Sequence, residues 1–170
     1  MENFFEKVSN YQFLNNILPG TIFVSILNNY MGIIIKADNF LVSLFIYYFV
    51  GLIISRFGSI VIEPILRKIK FVNHQPYSKY IFASLKDKKI NQLMELNNLF
   101  RSMMAMFCLL GLVTIYGKIQ AICPFVERNN KMILLLLLIA LFLFSFRKQT
   151  KFIFDRITYH DNETKEDEEK

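Results

Sequence analysis

The stretch of residues 39–55, NFLVSLFIYYFVGLIIS, carries no charged side chain and is rich in Phe, Leu and Ile. A mainly apolar run of about 17 to 25 residues is long enough to cross a bilayer as an α-helix. A helix also satisfies its own backbone hydrogen bonds, for which lipid offers no partners. This stretch therefore predicts a transmembrane helix in an all-α membrane protein.

Three further apolar runs predict transmembrane helices, in a 170-residue chain of which 54% is hydrophobic. These runs are residues 18–35, 102–122 and 132–146. The first is interrupted by polar residues, and the last is short enough to require polar neighbours or local thinning of the bilayer. We predict four transmembrane helices within residues 18–146, and a three-helix alternative stays open if 18–35 lies at the interface.

The basic residues are distributed unevenly between the predicted loops. Sixteen of the 20 Lys and Arg residues lie in the N-terminal segment, in the connection 56–101 and after residue 146, and four lie in the two opposite loops. Because Lys and Arg are retained on the cytoplasmic side, this distribution predicts cytoplasmic N- and C-termini in a bacterial inner membrane. The same rule, with attraction to anionic headgroups, explains the net charge of +6, so we do not expect direct nucleic-acid binding.

The remaining segments predict a cytoplasmic addition to the membrane domain. Residues 1–17 have the pattern of an amphipathic interfacial helix, and Pro19 marks a bend into the first membrane helix. Helices two to four extend past the bilayer, with a kink at Pro64, and residues 147–160 continue the last of them. We expect these extensions to form a small helical cap, followed by a disordered acidic tail at 161–170.

Small side chains recur every four residues on the second predicted membrane helix, at Gly51, Ser55 and Ser59. Such a series lets the backbone of another helix approach closely. The partner is either a helix of the same chain, which we favour, or a helix of another subunit.

An adjacent amide pair, Asn28 and Asn29, lies within the first apolar run. Buried amides need hydrogen-bond partners because an unpaired polar group in lipid is costly. We expect these partners on neighbouring helices, and a wet cavity lined by the two amides is the alternative.

A charge cluster is predicted at the inner boundary of the membrane. Glu63 lies in an apolar run, with an arginine one helical turn later in the favourable order. A partly buried carboxylate needs a cation within reach, and the next membrane helix brings its own arginine to the same depth. The predicted members are Arg56, Glu63, Arg67 and Arg101.

The sequence carries no catalytic or metal-binding signature. It has no phosphate-cradling glycine loop, paired-cysteine metal motif or His-Glu-x-x-His helix. The spacing of Arg67 and His74 matches a pattern found in some dimeric helical ribonucleases, and we interpret it as coincidence in a basic segment. Cys108 is predicted to be an apolar core residue and Cys123 an outer-face residue. We therefore expect a non-enzymatic protein with no cofactor and no metal.

Three segments resemble small multi-spanning bacterial membrane proteins of phage-defence loci. They are residues 18–23 (LPGTIF), 51–66 (GLIISRFGSIVIEPIL) and 97–101 (NNLFR). Within that group the chain resembles the multi-span accessory protein of type VI-B CRISPR systems, over most of residues 10–146. The shared motifs are not catalytic, so the resemblance implies a defence role and no enzyme activity.

The leading functional hypothesis is an accessory or effector protein of bacterial antiviral defence that forms homo-oligomers and perturbs or permeabilises the inner membrane. Its partners would be the lipid bilayer, further copies of the chain and a cytoplasmic defence complex. Two alternatives stay open: a holin-like or channel-forming protein unrelated to defence, and a small transporter subunit or membrane anchor. The resemblance supplies the defence part, and the hydrophobic pattern supplies the membrane part.

Overall fold

The computed structural model describes the backbone of residues 2–168 except 36, 74, 76 and 88. It describes the side chains of residue 13 and residues 15–159, apart from the same positions and 77, 78 and 85. All regular secondary structure in this part of the chain is helical, which confirms the all-α fold class.

The described fold consists of α-helices and one π-helical segment. In chain order they are α1 (Glu2–Tyr30), α2 (Phe40–Phe57), the π-helical segment (Gly58–Ile62), α3 (Glu63–Lys68), α4 (Tyr77–Lys86), α5 (Lys89–Ile122), α6 (Pro124–Arg128) and α7 (Asn130–Glu168). Because α2, the π-helical segment and α3 follow one another without a break, Phe40–Lys68 is one long helical rod.

Three of the helical rods are long and apolar enough to cross a membrane: Phe40–Lys68, Lys89–Ile122 and Asn130–Tyr159. Between 6% and 22% of the most apolar window of each rod is buried inside the protein. A soluble protein rarely exposes large contiguous apolar surfaces, whereas lipid solvates them. These helices therefore indicate a membrane protein.

α1 runs as one continuous helix through Pro19, so the predicted division between an interfacial helix at 1–17 and a separate helix after the proline is wrong. An interior proline removes one hydrogen bond and crowds the carbonyl four residues earlier, at a cost of about 3 kcal/mol. Pro19 and Gly20 are both buried, and packing of this part of α1 against α2 offsets that cost. The helix ends at Tyr30, so residues 31–35 of the predicted first span are not helical.

α1 and α2 lie antiparallel and approach each other at two glycines. A Cβ atom on Gly20 would overlap the carbonyl of Tyr47, and one on Gly51 would overlap the carbonyl of Asn16. Backbones this close leave no room for a side chain. The close approach that we predict at Gly51 is therefore made to a helix of the same chain.

Buried apolar side chains from α1, α2 and α5 meet in one core cluster. Its members are Phe23, Leu27, Ile54, Ala105, Met106 and Leu110. The same face of α5 also meets the π-helical segment, since a Cβ on Gly58 would lie 3.1 Å from the Cβ of Ala105. α5 is thus packed across the α1 and α2 pair.

Cys108 lies on the exposed side of α5, so its prediction as a core residue is wrong.

The two ends of the rod Phe40–Lys68 are capped by specific side-chain and backbone contacts. Asn39 is the N-cap, and its side-chain oxygen accepts from the N–H of Leu41 at 2.8 Å. At the other end, Phe71 N–H donates to Leu66 O at 2.9 Å while Lys70 takes a positive φ of 59°. This is the Schellman arrangement that usually carries glycine, and it turns the chain toward α4.

α7 is the least enclosed of the three apolar rods. It contacts α2, the π-helical segment, α4 and α6, and residues 134–137 are all exposed. The helix continues to Glu168, through part of the acidic tail predicted at 161–170, and residues 169 and 170 lie outside the described residues. Extending a formed helix requires no new nucleus, and Glu and Lys are good helix formers.

Candidate functional site

Glu63 is placed by a local change in helix geometry. The π-helical segment immediately precedes it, and the N–H of Glu63 donates to the carbonyl of Gly58, five residues earlier. Pro64 follows and cannot donate a backbone hydrogen bond, so a widened turn at this point accommodates the proline ring without ending the helix. The kink predicted at Pro64 thus takes the form of a π-helical turn in a continuous rod.

Three cations from three helical segments meet the carboxylate of Glu63. Arg67 Nη2 on α3 lies 2.9 Å from Oε1, Arg101 Nη1 on α5 lies 2.8 Å from Oε2, and Lys148 Nζ on α7 lies 3.1 Å from Oε2. The side chains of Glu63, Arg101 and Lys148 are 11%, 22% and 29% exposed, whereas that of Arg67 is 56% exposed. The links to α5 and α7 are therefore the enclosed ones.

Lys148 is fully occupied by acceptors in this arrangement. Its ammonium donates to the carbonyl of Ser59 at 2.8 Å, to the hydroxyl of Ser59 at 2.7 Å and to Glu63 Oε2 at 3.1 Å. A lysine has three N–H donors, so these contacts match its whole capacity. The side chain fixes α7 to the π-helical segment and to the start of α3.

The charge cluster, defined here as Glu63, Arg67, Arg101 and Lys148, is suited to holding helices together. Both carboxylate oxygens are engaged by cations, which favours the ionised form over a role in proton transfer. Three cations around one carboxylate also disfavour a bound metal ion. Within the described part of the chain, no group of three His, Cys, Asp or Glu side chains could hold a metal.

The structure brings together three of the four residues predicted for this cluster, namely Glu63, Arg67 and Arg101. Arg56 is half-buried seven residues before Glu63 and forms no ion pair with the carboxylate among the described residues. Of the small-residue series, Gly51 meets α1 and Ser59 meets α7, while Ser55 is half-buried on the same rod.

Asn28 and Asn29 do not join neighbouring membrane helices as predicted. Asn28 Nδ2 donates to the carbonyl of Ile35 at 3.2 Å and its Oδ1 accepts from the N–H of Ile35 at 2.7 Å. Asn29 Nδ2 donates to the hydroxyl of Ser25 within the same helix at 3.3 Å. Asn28 therefore pairs with the backbone of Ile35, in the non-helical segment that follows α1. An unpaired peptide group at this place would be costly. Its role is to shape the connection between α1 and α2.

Lys148 was missed by sequence reasoning because it stood among the basic residues that follow the last apolar run. The position of Lys148 along the sequence could have identified it. It comes two residues after Phe146, where the last apolar run ends, and α7 returns to the same end of the bundle as Glu63. The pattern of Arg67 and His74 is not tested, since His74 lies outside the described residues.

Comparisons of the chain with protein-family models, with curated proteins and with solved structures found no match.

Proposed function

We propose that the protein is a non-enzymatic inner-membrane accessory or effector of bacterial antiviral defence that oligomerises and perturbs or permeabilises the membrane. The apolar helices support the membrane location, and the resemblance of residues 18–23, 51–66 and 97–101 supports the defence context. The observation that carries the proposed coupling between the helices is the carboxylate of Glu63. It holds cations from α5 and α7 beside its own helix.

In this proposal α1 is the fourth crossing helix. It is antiparallel to α2 and packs against it at Gly20 and Gly51, well within the apolar part of α2. Its 29 residues extend about 43 Å, more than the roughly 30 Å of a hydrocarbon core. The half-buried Asn15 and Asn16 lie on this helix, where packing within the bundle shields polar groups from lipid.

The cytoplasmic cap is proposed to consist of α3, α4, the start of α5 and the end of α7. α4 contacts both α5 and α7, and it buries Ile81. Tyr80 on α4 donates its hydroxyl hydrogen to Asn91 Oδ1 on α5 at 3.1 Å. The positive-inside rule puts this basic end in the cytoplasm, where a defence complex can reach it.

The charge cluster lies between this cap and the apolar rods, and it is the point at which a signal in the cap would reach the membrane. Because charged groups in a low-dielectric site are costly when unpaired, moving one helix of the cluster forces the others to rearrange. α7 is the least enclosed rod, with 6% of its most apolar window buried, so it separates from the bundle with the smallest loss of packing. We propose that release of α7 accompanies oligomerisation.

The test is phage infection of a bacterial host that expresses the chain together with the genes that flank it in its own genome. Plaque counts and a voltage-sensitive dye are read in the same cultures. The proposal expects fewer plaques and membrane depolarisation that follows infection. Depolarisation without infection would favour a holin-like channel, and neither effect would favour an anchor or transporter subunit; either result overturns the proposal.

Self-association is tested separately in mild detergent by light scattering. An oligomeric mass supports the proposed assembly. A sharp monomer, together with no crosslinking through Cys123 in membranes, would contradict it.

A further inference from the structure

An apolar groove lies between α2 and α7 on the outside of the bundle. It has a volume of about 430 Å³ and is lined by Phe49, Leu138, Ile139, Phe142 and Leu143. The rings of Phe49 and Phe142 form its contact between the two helices, with centroids 6.2 Å apart. A groove of this composition at membrane depth is matched by a lipid acyl chain.

A cation lies on the same face of α2 as this groove, beyond it in the direction of Glu63. Arg56 follows Phe49 by seven residues on α2, which is two helical turns and about 10 Å along the same face. The Arg56 side chain is half-buried, and none of the described residues gives it a hydrogen bond or an ion pair. It is also within electrostatic range of Arg101, so its neighbour repels it.

The surroundings of Arg56 carry an excess of positive charge. The neighbouring charge cluster has three cations on one carboxylate, and the buried Nε of Arg101 has no partner among the described residues. Basic pockets between helices on the cytoplasmic side of a membrane bind the headgroups of anionic lipids. A phosphate at this place would offset a charge that the protein leaves unbalanced.

We propose that the groove between α2 and α7 binds an anionic phospholipid, with one acyl chain against Phe49 and Phe142 and the phosphate at Arg56. The combination of an apolar groove and a cation two turns away selects a lipid over free phosphate, which would not use the groove. The inference rests on the membrane location in the proposed function, and it adds the class of ligand.

The test uses tryptophan fluorescence, since the chain has no tryptophan. The full chain with Phe142→Trp is reconstituted in vesicles that contain either phosphatidylglycerol or phosphatidylcholine with brominated acyl chains, which quench tryptophan on contact. Phe144→Trp is the matched control, because about 200° around the helix separates it from Phe142 at nearly the same depth. A further pair compares Arg56→Gln with Arg147→Gln, an exposed cation on α7.

The proposal expects the Phe142→Trp protein to prefer phosphatidylglycerol by about fivefold, the factor that one basic residue near an anionic surface supplies. Arg56→Gln should abolish this preference, whereas Arg147→Gln and excess inorganic phosphate should leave it unchanged. Unaltered quenching by phosphatidylcholine in the Arg56→Gln protein shows that the fold is intact.

Three outcomes would overturn the proposal: equal quenching by both lipids at Phe142→Trp, the same preference at Phe144→Trp, or an equal loss with Arg147→Gln. If neither lipid quenches either tryptophan, the membrane location itself fails. That outcome is distinct from a loss of lipid selectivity, which leaves the location standing.

Discussion

Lys148 donates to the hydroxyl of Ser59 at 2.7 Å and to its carbonyl at 2.8 Å, although the two residues are 89 positions apart in the chain. The ammonium also reaches Glu63 Oε2 at 3.1 Å. Because α7 is otherwise little enclosed, these contacts are central to its position against the rest of the bundle.

Replacing Lys148 should therefore loosen α7. Lys148→Met removes a charged donor whose hydrogen bonds are worth about 2 kcal/mol. The measurement is crosslinking in membranes by a short bifunctional thiol reagent between Phe49→Cys and Phe142→Cys, in a chain without its native cysteines. The ring centroids of Phe49 and Phe142 lie 6.2 Å apart in the native chain. The yield should fall severalfold. Lys151→Met, which changes an exposed lysine one turn later, is the control. An equal crosslinking yield in both variants would show that Lys148 does not hold α7 in place.

A single methyl group at the contact between α1 and α2 should destabilise the bundle. Gly51→Ala places a Cβ on the carbonyl of Asn16, and relief of that overlap costs about 2 kcal/mol. Gly111→Ala is the matched control, since a Cβ at Gly111 meets nothing within 4 Å and alanine favours a helix by about 1 kcal/mol. The unfolding free energies of the Gly51→Ala and Gly111→Ala variants are measured in mixtures of mild and denaturing detergent. Equal effects of the two changes would show that the close approach is not required.

The orientation of the chain is open to labelling with a membrane-impermeant thiol reagent. Lys165→Cys should react only after the inner membrane is opened, whereas native Cys123 should react from outside. Cys108→Ser removes the other thiol, and Cys123→Ser is used when Lys165→Cys is measured. The charge distribution predicts this pattern. The reverse pattern would overturn the assignment of the basic end to the cytoplasm.

The part of the fold that sequence reasoning predicts is the part determined by composition and depth. Residues 39–55 and 132–146 lie in helical rods because an uncharged apolar run has few other stable states. The pairing of Glu63 with Arg101 was also predictable, since consecutive antiparallel helices bring their boundary residues to one level and a buried carboxylate needs a cation.

The features that sequence reasoning missed depend on packing. The continuity of α1 through Pro19 depends on close contact with α2, which local propensity does not encode. Asn28 pairs with the backbone of Ile35 because the connection happens to pass beside it. Lys148 reaches Ser59 only because α7 packs against the π-helical segment, and a π-helical turn has no simple sequence signature.

Enclosed ion pairs of Glu63 join the apolar rods, and a double-mutant cycle on Glu63 and Arg101 measures what they contribute to stability. The unfolding free energies of Glu63→Gln, Arg101→Gln and the double variant are measured in detergent. Glu63→Gln should cost about 3 kcal/mol, because it leaves the enclosed cations Arg101 and Lys148 without their carboxylate. Arg101→Gln should cost less, because Lys148 still lies 3.1 Å from Glu63 Oε2. The double change should cost clearly less than the sum. Arg67→Gln, whose partner contact is exposed, should cost below about 0.5 kcal/mol. Silent single changes, or a simply additive double change, would show that these ion pairs do not hold the rods together.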